Sequence, residues 1–124
     1  MRPFYFDYYW NMETSNAVAA LAALAQESRL SVFRLLVRAG PAGLAAGRIS
    51  TELGIPPSSL SFHLKELLHA NMVLSRQEGR FVIYVANYQT ASDLIGFLSE
   101  NCCVGSPCDC GSLSSCSPKS GRER

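Results

Sequence analysis

The stretch Ala46–Ala70, AGRISTELGIPPSSLSFHLKELLHA, decides the fold. Ile49 and Leu53 stand one helical turn apart and Gly54 follows as a C-terminal stop, which predicts a short helix over Ala46–Leu53. Ile55-Pro56-Pro57 makes the turn, because proline cannot continue the hydrogen-bond ladder. Leu60, Leu64, Leu67 and Leu68 then recur at helical spacing and predict a longer helix from Ser58 to about Ala70 with that stripe inward. Helix, tight turn with glycine, longer helix is the helix-turn-helix signature. Directly after it, Met72–Gln77 and Arg80–Asn87 alternate around Glu78-Gly79, a two-residue hairpin signal. The predicted fold is a winged helix-turn-helix, mainly α with a β-hairpin wing.

Upstream, Thr14 and Ser15 are placed to cap a helix through Ala17, Leu21, Leu24 and Ala25. A second helix is expected from about Ser28, with Leu30, Phe33, Leu36 and Val37 facing the core and Ser31, Arg34 and Arg38 opposite; Gly40-Pro41 ends it. Ala42 to Ala45 reads as a connector or minor strand. Downstream, Ala91, Leu94, Ile95 and Leu98 mark a last helix from about Thr90, whose face continues to Cys102. The expected division is an aromatic-rich extension (1–13), a winged-helix domain (14–103) and a flexible Cys/Ser/Gly-rich tail (104–124). Phe4, Tyr5, Phe6, Tyr8, Tyr9 and Trp10 read either as an arm for a partner or as an upstream remnant before a start at Met12; the remnant is the expectation.

A chain of 124 residues builds a marginal core, so a second copy sharing the burial is expected. A net charge of +1 excludes a strongly basic DNA-coating protein and leaves room for a local basic surface that a dimer doubles. No run approaches a membrane span, and no basic start with an aliphatic run marks a secretory signal. An odd number of cysteines without such a signal makes a reducing cytoplasm the expected setting.

On the longer helix, Ser58, Phe62, Lys65 and His69 oppose the leucine stripe, flanked by Ser59 and Ser61. Short hydroxyls and a cation there suit a recognition helix that points its first turn at base edges. Phe62 either meets a thymine methyl or bends back onto the wing or a partner. His63 flanks the core face as an orienting residue rather than a metal ligand. Arg76 and Arg80 bracket the hairpin tip, either touching phosphates or sitting in a solvated turn beside Glu78. Arg29, Arg34 and Arg38 read as an ordinary polar helix face, with contact to the DNA backbone by Arg34 or Arg38 as the alternative.

All five cysteines, Cys102, Cys103, Cys108, Cys110 and Cys116, lie in one polar window near the C-terminus. Core cysteines would be scattered, so the cluster points to a soft ion or an oxidant. No Cys-x-x-Cys on a thioredoxin-like pattern and no His/Asp partner beside a nucleophile appears, which argues against an enzyme.

Ala25–Leu36, Ser61–Val73 and the Arg76–Tyr84 hairpin resemble the ArsR/SmtB family of metal-responsive repressors, and the likeness covers about Ser15 to Cys103. The resemblance implies a homodimer through the first and last helices that leaves operator DNA when its inducer binds. It also shows departures. Arg48–Leu53 lacks the Cys-x-Cys of the arsenic and cadmium sensors, and the last helix offers only Asp93 and Glu100 where the zinc sensors carry Asp and His. Asn101-Cys102-Cys103 with Cys108 is similar to arsenic repressors whose three ligands lie at the end of that helix. Three thiolates without nitrogen suit As(III) or Sb(III); Cys110 would complete a four-thiolate set for zinc or cadmium. Cys110 and Cys116 are the outer candidates. The competing expectation is a thiol redox or persulfide sensor, although the family's sensors of that kind place a cysteine pair on two separated helices, which this chain lacks.

Overall fold

The computed structural model describes residues 12–100. In chain order these form α1 (Thr14–Leu24), α2 (Glu27–Ala39), a 3-10 turn (Gly40–Ala42), β1 (Leu44–Ala45), α3 (Ala46–Leu53), α4 (Pro57–His69), β2 (Val73–Glu78), β3 (Phe81–Ala86) and α5 (Tyr88–Leu98). The strands make one antiparallel sheet in the order β1-β3-β2. Residues 13–91 are one compact unit, while residues 92–100 fall in a second. Among the described residues no helix is long and apolar enough to cross a membrane.

The core of the first unit is built from Val32, Phe33 and Leu36 on α2, Ile49 on α3, Leu60, Leu64 and Leu67 on α4, and Met72, Val73 and Ala86 at the hairpin base. From α1 it takes only Ala17, Ala20 and Ala23. That differs from the expected Ala17/Leu21/Leu24/Ala25 stripe. Small side chains let α1 approach α2 and α4 closely, so the alanine face turns in and Val18 and Leu21 turn out. Leu30 and Val37 of α2 are likewise exposed, and Val32 takes the buried place. Within the second unit, Leu94 is buried while Ile95 and Leu98 are 46% and 59% exposed.

Two helix starts differ slightly from the sequence reading. Glu13, rather than Thr14 or Ser15, takes the cap position of α1, its N–H donating to Asn16 Oδ1 at 3.3 Å. Gln26 caps α2 by accepting the Arg29 N–H at 3.0 Å. The hairpin turn also moves by one residue. Glu78 pairs with Phe81, so the two-residue turn is Gly79-Arg80. Gly79 alone has positive φ (62°), the arrangement in which glycine leads a type II′ turn.

Gly43 clamps the wing to the helices. Its φ of 67° and ψ of −175° lie where essentially only glycine is comfortable. A Cβ there would sit 2.5 Å from the Tyr84 carbonyl oxygen and 2.6 Å and 2.7 Å from the Val85 and Ile83 methyls. The absence of a side chain is what lets β1 pair with β3.

Candidate nucleic-acid interface

The α3–α4 turn is fixed by its own polar groups. Gly54 closes α3 in the left-handed conformation, donating its N–H to the Ser50 carbonyl at 2.8 Å. The Ser50 hydroxyl in turn donates to the Ile55 carbonyl at 2.6 Å. Pro57 then occupies the first position of α4, where a missing N–H costs nothing. No side chain caps α4, so the N–H groups of its first turn are left for solvent or an anion.

With Leu60, Leu64 and Leu67 pinned in the core, the rest of α4 faces outward. Ser58, Ser59, Ser61, Lys65 and His69 are exposed and have no partner among the described residues. Phe62 is 56% exposed, and its ring neighbour is His63, edge-on at 5.8 Å between centroids. His63 is half-buried, and its Nδ1 is buried with no hydrogen-bond partner among the described residues. It takes the core-flanking position expected of it.

The two wing arginines separate. Arg76 spends its guanidinium internally: Nη1 donates to the Pro41 carbonyl and Nη2 to the Ala42 carbonyl, both at 3.0 Å, and Nε to Glu78 at 2.6 Å. It bolts β2 to the 3-10 turn. Arg80 stands at the hairpin tip, exposed and without an ion pair or hydrogen bond among the described residues. Arg34 and Arg38 are exposed and free in the same sense, but the Arg29 Nε donates to the Ala23 carbonyl at 2.7 Å and braces the end of α1.

Sequence reading missed the joint between α4 and the wing. Asn71 adopts φ 64° at the helix exit, and its carbonyl accepts from the Asn87 Nδ2 at 2.9 Å. Asn87 also donates its N–H to Met72 at 2.9 Å and accepts from Thr90 at 3.3 Å. The buried amide thus ties the hairpin's end to its beginning. An asparagine directly after β3 was the available signal, but its partners are set by tertiary structure. The candidate ligands Cys102, Cys103, Cys108, Cys110 and Cys116 lie outside the described residues. Among the described residues no group of three or more His, Cys, Asp or Glu could hold a metal ion.

A helix-turn-helix domain family matches residues 24–76. An ArsR-like transcriptional regulator from Rhodococcus superposes with a TM-score of 0.62 and is 25% identical, over 68% of this chain and 77% of that one. HlyU from Vibrio cholerae is 32% identical with a TM-score of 0.56, over 70% of this chain and 97% of that one. The chain belongs to the ArsR/SmtB family. This is a family of winged-helix transcriptional regulators and not of enzymes. A second HlyU structure, described as reduced, is 29% identical over 73% of this chain and 92% of that one, with a TM-score of 0.53. The ArsR/SmtB assignment is joined by a curated relative, the nodulation protein NolR of Rhizobium meliloti, 29% identical over 84 residues. The match spans 68% of this chain and 66% of that relative's length.

Proposed function

We propose that the protein is a cytoplasmic, homodimeric transcriptional repressor that reads operator DNA with α4 and the wing, and leaves it when As(III) or Sb(III) binds C-terminal cysteines. The observation that carries the DNA-binding part is the unspent outer face of α4. Ser58, Ser59, Ser61, Phe62 and Lys65 are exposed, uncommitted and held on a helix whose opposite face is locked in the core. Hydroxyls and a cation at that position contact phosphates and base edges, and Phe62 offers an apolar surface to a thymine methyl. Arg80 supplies the free wing cation, while Arg76 positions the wing that carries it.

Few cations face outward per copy, so useful affinity calls for two copies on two half-sites. Exposed Val18 and Leu21 on α1, and Ile95 and Leu98 on α5, supply apolar surface for a second copy to cover. The inducer reading rests on donor chemistry: Cys102, Cys103 and Cys108 are soft thiolates without a nitrogen partner, a set suited to a trigonal thiophile. Drawing these residues together at the end of α5 would repack the dimer and alter the spacing of the two recognition helices. Such coupling is typically about 1–3 kcal/mol, roughly 5- to 150-fold in DNA affinity.

A second reading, release by thiol oxidation, is favoured by the likeness to a structure described as reduced HlyU. One experiment separates the two. A duplex selected from a random pool by the purified protein is bound at 100 mM salt and challenged with arsenite, with zinc or cadmium, and with peroxide or polysulfide. Release by arsenite alone supports the metalloid sensor. Release by peroxide or polysulfide, reversed by a reductant, replaces it with the redox sensor, and absence of salt-dependent DNA binding removes the repressor reading altogether.

A further inference from the structure

The wing tip carries a feature that phosphate binding does not use. Phe81, the residue after the Gly79-Arg80 turn, is 63% exposed, more than any other large apolar side chain among the described residues. A phenyl ring so exposed at a hairpin tip gains little from the fold, whereas Leu60 and Leu67 in the same unit are buried almost completely. Its strand partner is Glu78, whose carboxylate is engaged by Arg76 at 2.6 Å. The neighbouring negative charge is thereby neutralised, and Arg80 next to the ring is left as an uncommitted cation. The tip is also stiff. Arg76 anchors its base to Pro41 and Ala42, and Gln77 Nε2 donates across the turn to the Gly79 carbonyl at 3.1 Å.

We infer that Phe81 is a minor-groove wedge: with Arg80 beside it in the groove, the ring presses between two base pairs, partly unstacks them and bends the operator. This rests on the DNA-binding reading above and adds a specificity-determining residue to it. The chemistry of the tip selects this occupant. The minor groove is a narrow negative slot about 6 Å wide, which attracts a guanidinium and admits one projecting ring. Proteins that bind it insert apolar side chains between base steps and kink the duplex. A second copy of this chain is a poorer occupant, because a two-fold contact through the tips would bring Arg80 against its own symmetry mate. Specificity would follow from deformability, since pyrimidine–purine steps unstack most easily and would be preferred under the wing at positions no hydrogen bond reads.

The test uses the full chain and a 30-base-pair duplex selected by it from a random pool, labelled at both ends for energy transfer. Phe81→Ala is expected to lose about tenfold in affinity, in the range found on removing a base-contacting aromatic, and most of the bend. Its salt dependence should stay that of the wild type, since no charge is removed. Phe81→Leu should keep most of the bend, because aliphatic wedges also open base steps. Far-UV circular dichroism of both variants should match the wild type, as the ring is exposed. The inference is overturned if Phe81→Ala binds and bends like the wild type, or if its weaker binding comes with a lower dimer fraction in sedimentation, which would mean that the ring packs copies together. Failure of the wild type itself to bind any duplex would overturn the repressor reading instead.

Discussion

Replacing the two wing arginines separately by alanine should produce opposite kinds of defect. Arg76 makes two 3.0 Å bonds to backbone carbonyls and a 2.6 Å ion pair, with its side chain 41% and that of Glu78 55% exposed. At such exposure water replaces much of each bond, leaving about 0.5–1 kcal/mol apiece, and the ion pair adds little. Arg76→Ala should therefore cost about 1–2 kcal/mol, or about 4–16 °C in melting temperature for a domain of this size. Arg76→Lys should recover only part of this, because an ammonium lacks the fork that spans two carbonyls. Neither change should alter the salt dependence of DNA binding. Arg80→Ala should leave the melting temperature within about 2 °C, since an uncommitted surface side chain contributes little to folding. It should remove one cation from the DNA per wing, lowering the slope of log K against log salt by about 0.9 per copy and about 1.8 per dimer. That makes its affinity deficit about twelvefold smaller at 200 mM than at 50 mM salt. Fluorescence anisotropy across that range, paired with thermal denaturation, measures both. If Arg76→Ala flattens the slope as much as Arg80→Ala, its internal bonds give way on DNA and the division of labour is wrong.

Further outcomes follow from other parts of the molecule. Gly43→Ala combines a strained backbone with a Cβ 2.5 Å from a carbonyl oxygen and should cost about 2–5 kcal/mol in urea denaturation; Gly40→Ala, at φ 75° with open space around it, should cost only the conformational part, about 1–3 kcal/mol. Equal losses at the two sites would refute the close-approach argument. Leu21→Glu, on the 41%-exposed outer side of α1, should leave helix content intact while shifting sedimentation toward monomer and weakening DNA binding at least tenfold through loss of the second half-site; an unchanged dimer would show that α1 is not interface. Single Cys102→Ser, Cys103→Ser and Cys108→Ser proteins should bind DNA normally and fail to release it with arsenite, whereas Cys110→Ser and Cys116→Ser should still respond. Arsenite response in all three of the first set would discard the assigned ligands.

The helix-turn-helix was legible because its signals are local and strong. Leucines at 60, 64 and 67 repeat with helical period, Gly54 sits where a left-handed stop is needed, and α3 spans Ala46–Leu53 as its two apolar residues predict. The wing was legible in outline, but Gly79 leads a type II′ turn, which moves the turn from Glu78-Gly79 to Gly79-Arg80. The packing face of α1 was misread because from Ala17 to Leu24 it is alanine and leucine apart from Val18, leaving no polar contrast there to set a helical phase. Arg76 and Gly43 could not be read at all. Their partners lie 35 and about 40 residues away, and only the folded chain brings the Pro41 carbonyl to one and Tyr84 to the other. At the recognition face the outward set of Ser58, Ser59, Ser61, Phe62 and Lys65 followed from opposing the leucine stripe, a purely periodic inference.

The central claim couples soft-ligand binding at the tail to DNA release by the winged helix. Titrating arsenite into the preformed protein–DNA complex, while following thiolate-to-arsenic absorption and anisotropy in one cuvette, tests it most directly. The account predicts that absorption rises as anisotropy falls, both levelling off at one arsenic per subunit, with DNA affinity falling roughly 5- to 150-fold. Saturated absorption with the DNA still bound at its original affinity would contradict it.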